Sequence, residues 1–115
     1  MHGGDMLRKE LVAASAEPFI LALLSKGESY GYAIIQEIME RSQQRIEWTD
    51  GMLYPVLHRM ERKGWIKSRW SVSDIGRKRK YYSISKNGKV ALEQHRAEWA
   101  LVDDVFAGLG KETHV

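Results

Sequence analysis

DGMLYPVLHRMERKG, residues 50–64, sets apolar side chains at Leu53, Val56, Leu57 and Met60, a stripe at helical spacing. With that stripe turned inward, Met52, Tyr54, Pro55, His58, Arg59 and Arg62 are left facing outward or sideways. A helix that reads the DNA major groove needs this segregation, because one face must join a core while the other meets base edges and phosphates. Thr49 or Asp50 starts the helix, Gly64 ends it, and Pro55 falls near the first turn, where a missing amide donor costs least.

Beyond Gly64 the period drops from 3.6 to two. Trp65, Lys67 and Arg69 alternate with Ile66, Ser68 and Trp70, and Tyr81 and Ser83 alternate with Tyr82 and Ile84, which predicts two short strands. Between them, Ser71 to Lys80 holds Ser73, Asp74 and Gly76 followed by Arg77, Lys78, Arg79 and Lys80, and reads as a long hairpin loop with a charged tip. This is the pattern of a wing, with Tyr81 and Tyr82 bracing it from the strand.

Upstream, Met6 to Leu24 is apolar at helical spacing, but Pro18 predicts a kink or two short helices. Gly27 closes that segment. Ser29 is then expected to cap a second helix through Tyr32, Ile34, Ile35, Ile38 and Met39, ending near Ser42. Downstream, Ser85 and Lys86 begin a last helix in which Leu92, Trp99 and Phe106 are spaced by sevens and interleave with His95, Val102 and Leu109. The expected architecture is mainly α with a small β-hairpin: a winged helix-turn-helix over residues 6–85, a C-terminal dimerisation helix over 86–109 and a tail over 110–115, all in one domain.

Charge supports the same assignment. The 115 residues carry a formal net charge of only +3, yet nine of the 18 Lys and Arg lie between His58 and Lys80 against two acids, Glu61 and Asp74. That segment has a net charge of +7 and the rest of the chain −4. Clustered positive charge is what phosphate neutralisation requires. The DNA-facing candidates are therefore Thr49, Met52, Tyr54, Pro55, His58, Arg59 and Arg62 on the helix, with Lys78, Arg79, Lys80 and Tyr82 on the wing. Arg59 is placed to fork onto guanine, Tyr54 to donate to a phosphate and Met52 to pack on a thymine methyl.

Other functions find little support. The absence of cysteine excludes disulfides, thiolate metal sites and cysteine nucleophiles. The four histidines, His2, His58, His95 and His114, lack ligand-like or catalytic spacing, so neither an enzyme, a metal site nor a bound cofactor is expected. No stretch approaches the roughly 20 apolar residues of a membrane span, and a cytoplasmic location is the default expectation. The competing class is a winged-helix module that binds an acidic protein surface without sequence-specific DNA binding.

Three segments together, YGYAIIQEI, DGMLYPVLHRMERKGWIKSRW and GRKRKYYSISKNG, resemble the PadR-type transcriptional regulators, in particular the short subfamily with a single C-terminal helix. The resemblance runs from about Leu7 to Leu109. It implies a homodimeric winged helix, usually a repressor, that binds a palindromic operator and is released by a small effector. Met52 stands where members commonly carry Thr or Ser, and the wing is more basic and holds less glycine or proline than usual. In the small multidrug-binding regulators that the chain resembles, a tryptophan placed like Trp99 lines an effector pocket at the dimer centre.

The heptad seam of Leu92, Trp99, Val102, Phe106 and Leu109 needs a covering surface, which a second copy supplies, and two-fold symmetry then predicts a pseudo-palindromic DNA target. Trp99 has two open roles, as a platform for a flat aromatic or cationic ligand with Asp103 four residues on, or as dimer core. Ser15 and Pro18 on the first helix are further candidates for an effector pocket.

Overall fold

The computed structural model describes residues 5–111, so His2 and His114 and the last four residues of the expected tail lie outside the described residues. Seven elements follow in order: α1 (Lys9–Leu24), β1 (Ser29–Tyr30), α2 (Gly31–Arg41), α3 (Asp50–Arg62), β2 (Ile66–Val72), β3 (Lys78–Ile84) and α4 (Lys86–Lys111). The strands form one antiparallel sheet in the order β1-β3-β2.

α1 runs through Pro18 as one helix, not two. Proline removes a single amide, and its ring, like Ala16, Ile20, Leu21 and Leu24, is on the buried side. The expected cap at Ser29 is also corrected. Ser29 and Tyr30 form a short third strand opposite Tyr82 and Tyr81, and α2 begins at Gly31 with no side-chain cap. The second helix ends at Ser42 as predicted.

Gly31 lies beneath Tyr54 of α3. A side chain there would run into the ring and hydroxyl of Tyr54, so the ring keeps this position only over a bare backbone. Thr49 caps α3, its hydroxyl accepting the Met52 amide at 3.2 Å, and Leu53, Val56, Leu57 and Met60 are all buried as the stripe predicts. The connection from α2 to α3 also reaches the core. Its Ile46 and Trp48 are buried beside the helical residues, a contribution that no periodicity announces.

α4 is joined to this body at its first three turns. Gly88 lies so close to the Trp65 carbonyl that a side chain would overlap it, and Ala91 and Leu92 enter the core. His95 packs edge-on against Trp65, with ring centroids 6.0 Å apart. The following residues, 96 to 110, are all exposed. The radius of gyration is 16.6 Å and the longest extent 64 Å, against about 13 Å of gyration for a compact chain of this size. The excess is α4 projecting from the winged helix.

Candidate nucleic-acid interface and effector surface

α3 presents Tyr54, Pro55, His58, Arg59 and Arg62 on its exposed side. Two of these are engaged within the chain. The ring of Tyr54 lies over the first residue of α2, and Arg59 points back toward α1, its Nε 3.6 Å from Glu17 Oε2. Lys63 Nζ donates to the same carboxylate oxygen at 3.1 Å. Met52, expected to face DNA, is half-buried against the core instead, because the α3 stripe continues onto it from the side of Trp48.

The wing differs more from expectation. β2 and β3 extend to Val72 and Lys78, so the loop shrinks to residues 73–77, closed by the Ser73 amide on the Arg77 carbonyl and the Arg77 amide on Ser73 Oγ. Lys78, Arg79 and Lys80 are strand residues, and alternate residues point to opposite faces.

Register then fixes what shares a face. Ile66, Ser68, Trp70 and Val72 stand opposite Ile84, Tyr82, Lys80 and Lys78. This face begins in the core, where Ile66 and Tyr82 are buried and Ser68 donates to Glu61 of α3 at 2.7 Å. It leaves the core at Trp70, Val72, Lys78 and Lys80. Lys78 Nζ lies 6.0 Å from the centre of the Trp70 ring.

Arg79 belongs to the other face. Its guanidinium sits over the Tyr30 ring at 4.3 Å, Tyr30 meets Tyr81 edge-on, and Arg69 lies 5.2 Å over Tyr81. Arg69 also forks onto the Glu28 carboxylate, a hydrogen-bonded pairing that holds Glu28 below its ordinary range. The basic run is thus split between two surfaces.

Tyr82, a sequence candidate for DNA contact, is 1% exposed. Strand alternation turns it beneath α3, where its hydroxyl makes no hydrogen bond and burial pushes its pKa up to about 12. It is a core residue.

On α4 the seam divides at its middle. Leu92 is 6% exposed and packs in the chain's own core, so it is unavailable to a second copy. Trp99 is 37% exposed, and Leu101, Val102, Val105, Phe106 and Leu109 are open to solvent, Phe106 to 72%. A groove of about 550 Å³ runs beside α4, lined by Phe19, Ala22 and Leu23 of α1 and Ile38 of α2, with Arg96 at its edge. Neither Ser15 nor Pro18 lines it. Both are buried by the phase of α1, and the Ser15 hydroxyl donates to the Val12 carbonyl. Phe19, 40% exposed, is the largest of the α1 residues that face this space, and its place three and four residues before Ala22 and Leu23 on the same helix is the signal that could have identified it.

A helix-turn-helix with a β-wing, followed by one long helix, matches known regulators along nearly its whole length. The family model of the transcriptional regulator PadR-like family matches residues 20–94. The chain belongs to the PadR-like family. Among PadR-like and related proteins, it is 34% identical over 101 residues to the transcriptional regulator Rv3488 of Mycobacterium tuberculosis, covering 87% of this chain and 91% of that one. A PadR family transcription regulator from Clostridium difficile superposes with a TM-score of 0.74 at 35% identity, covering 83% of this chain and 97% of that one. A transcriptional regulator from Clostridium thermocellum gives a TM-score of 0.80 at 28% identity, covering 90% and 97%. The PadR-like assignment is that of a transcriptional regulator, not an enzyme. No helix among the described residues is long and apolar enough to cross a membrane.

Proposed function

We propose that the chain is a homodimeric transcriptional repressor that binds a pseudo-palindromic DNA operator and is released by a small aromatic or cationic effector. The observation that carries the dimer is the outer half of α4, where Val102, Val105, Phe106 and Leu109 are exposed on a helix that the other described residues do not cover. A row of large apolar side chains in water calls for a second surface, and Phe19 and Leu23 in the adjoining groove extend the apolar area.

Two-fold pairing places two copies of α3 on one side of the assembly. The exposed Arg59, Arg62 and His58 then meet successive major grooves, with Thr49 and Pro55 at the start of the helix and Tyr54 at its flank. Lys78 and Lys80 approach the neighbouring phosphates, and Arg79 does so from the outer face of the wing. Trp99, part exposed on α4 and with Asp103 one turn on, is the effector platform.

The test combines light scattering with selection of bound duplexes from a random-sequence pool. Wild type is expected to be a dimer that enriches inverted repeats. Phe106→Glu with Leu109→Glu is expected to be a folded monomer whose operator affinity is lower by on the order of 100-fold, the avidity gained by joining two half-site readers. A wild-type monomer at micromolar concentration, or selection without any repeat, overturns the proposal.

A further inference from the structure

Two cations meet one carboxylate oxygen behind α3. Lys63 Nζ donates to Glu17 Oε2 at 3.1 Å, and Arg59 Nε lies 3.6 Å from the same oxygen, too far for a hydrogen bond. Glu17 has a single charge for both partners, and its side chain is 19% exposed against 48% for Arg59 and 41% for Lys63. Lys63 holds the better geometry. With the carboxylate engaged by the lysine, Arg59 keeps most of its charge for a partner outside the chain.

The residues after Lys63 explain why it stays. Gly64 takes a φ of 77°, a left-handed turn in which the Gly64 amide donates to the Glu61 carbonyl and the Trp65 amide to the Met60 carbonyl. This reversal brings the Trp65 ring beneath the lysine two residues before it, with Nζ 4.3 Å from the ring centre. The ammonium is thus held from two sides, by ring and carboxylate. The ring is braced in turn by His95 of α4, which meets it edge-on with the planes 87° apart.

We propose that Lys63 is a positioning residue for base reading: by occupying Glu17 it releases Arg59 to DNA, and Trp65, braced by α4, keeps it in place. This rests on Arg59 contacting a base, as proposed above, and names the residues that govern how strongly it does so.

The experiment measures the affinity of the full-length protein for a duplex enriched from a random-sequence pool and for its single-base variants. The base read by Arg59 is the position at which Arg59→Ala loses its preference. Lys63→Met keeps a stem over Trp65 and removes the charge. Preference at that base is expected to fall about threefold, the scale of one exposed ion pair, as Glu17 draws Arg59 back. Lys63→Arg is expected to keep the wild-type preference. Glu17→Gln added to Lys63→Met is expected to return it to the wild-type level or above, a reversal that a phosphate contact or a purely structural role of Lys63 would not produce. Trp65→Leu is expected to act in the same direction more weakly. Thermal unfolding checks each variant, and the Lys63 and Glu17 variants decide alone if Trp65→Leu does not fold.

A Lys63→Met protein that binds every sequence more weakly with its preference unchanged overturns the proposal, as does a loss of preference that Glu17→Gln does not reverse. If Arg59→Ala loses preference at no position, the base-reading role of Arg59 fails and the proposal falls with it.

Discussion

Tyr54 of α3 lies directly across the backbone of Gly31, the first residue of α2. The two helices of the helix-turn-helix are therefore locked by an aromatic ring on a position without a side chain. Gly31→Ala is expected to destabilise the protein by about 2 kcal/mol through overpacking. Combining it with Tyr54→Ala should recover part of that loss, because the clash and its cause are removed together. Denaturant unfolding of the four members of the cycle measures the coupling, and strictly additive losses would show that the ring does not limit the site.

The hydroxyl of Tyr82 is buried with no hydrogen bond, a costly state that Phe avoids. Tyr82→Phe is expected to be neutral or to stabilise by about 1 kcal/mol. The pH dependence adds a second readout. Its pKa is raised to about 12, against about 10 for the unfolded side chain. The folded protein thus keeps a proton that the unfolded chain gives up. The contribution is fully present below pH 10 and is lost as pH rises toward 12. Unfolding followed across that window should show a steeper alkaline loss in wild type than in Tyr82→Phe.

Glu17 accepts from Lys63 and pairs with Arg59, drawing one cation of α3 and the one at its C-cap toward α1. Glu17→Gln should change stability by less than about 1 kcal/mol, since both cations are nearly half exposed. Its effect on DNA is expected to be larger, with affinity rising about two- to fivefold at low salt and the gain fading at high salt as one negative charge near the phosphates is removed. Unchanged affinity at low salt would place Arg59 and Lys63 out of reach of DNA. Arg59→Ala is expected to blur discrimination between related operators.

Trp99 is one of four tryptophans and is 37% exposed on α4, three residues beyond Arg96, the α4 residue that lines the groove. Planar cationic dyes are expected to quench tryptophan emission in wild type and to leave Trp99→Ala unquenched, with operator binding retained. If Trp99→Ala instead dissociates the dimer, the ring is interface core and the effector platform is lost.

The α3 stripe was readable because four apolar residues at helical spacing, a Thr cap and a terminal Gly all agree. The wing was only half readable. Four consecutive basic residues conceal strand alternation, since no apolar partner marks which face each occupies, so Lys78 to Lys80 read as loop although they are strand. β1 is two residues long, too short for any period. Tyr82 and Leu92 were misplaced for a shared reason: spacing shows which residues lie on one face, but not whether that face meets the chain's own core, DNA or a second copy. Ile46 and Trp48, buried from an irregular link, have no pattern to betray them.

One face of the β2–β3 hairpin serves the core at its base and the solvent at its far end. A slip of β3 by a single residue would exchange every side chain between faces. Tyr81 would be driven beneath α3 in place of Tyr82, and Lys78 and Lys80 would turn away from Trp70 and Val72. The pairing error that disables the wing also opens the core. Folding therefore acts as a proofreading step for this surface, and a molecule stable enough to persist carries its wing in the working register.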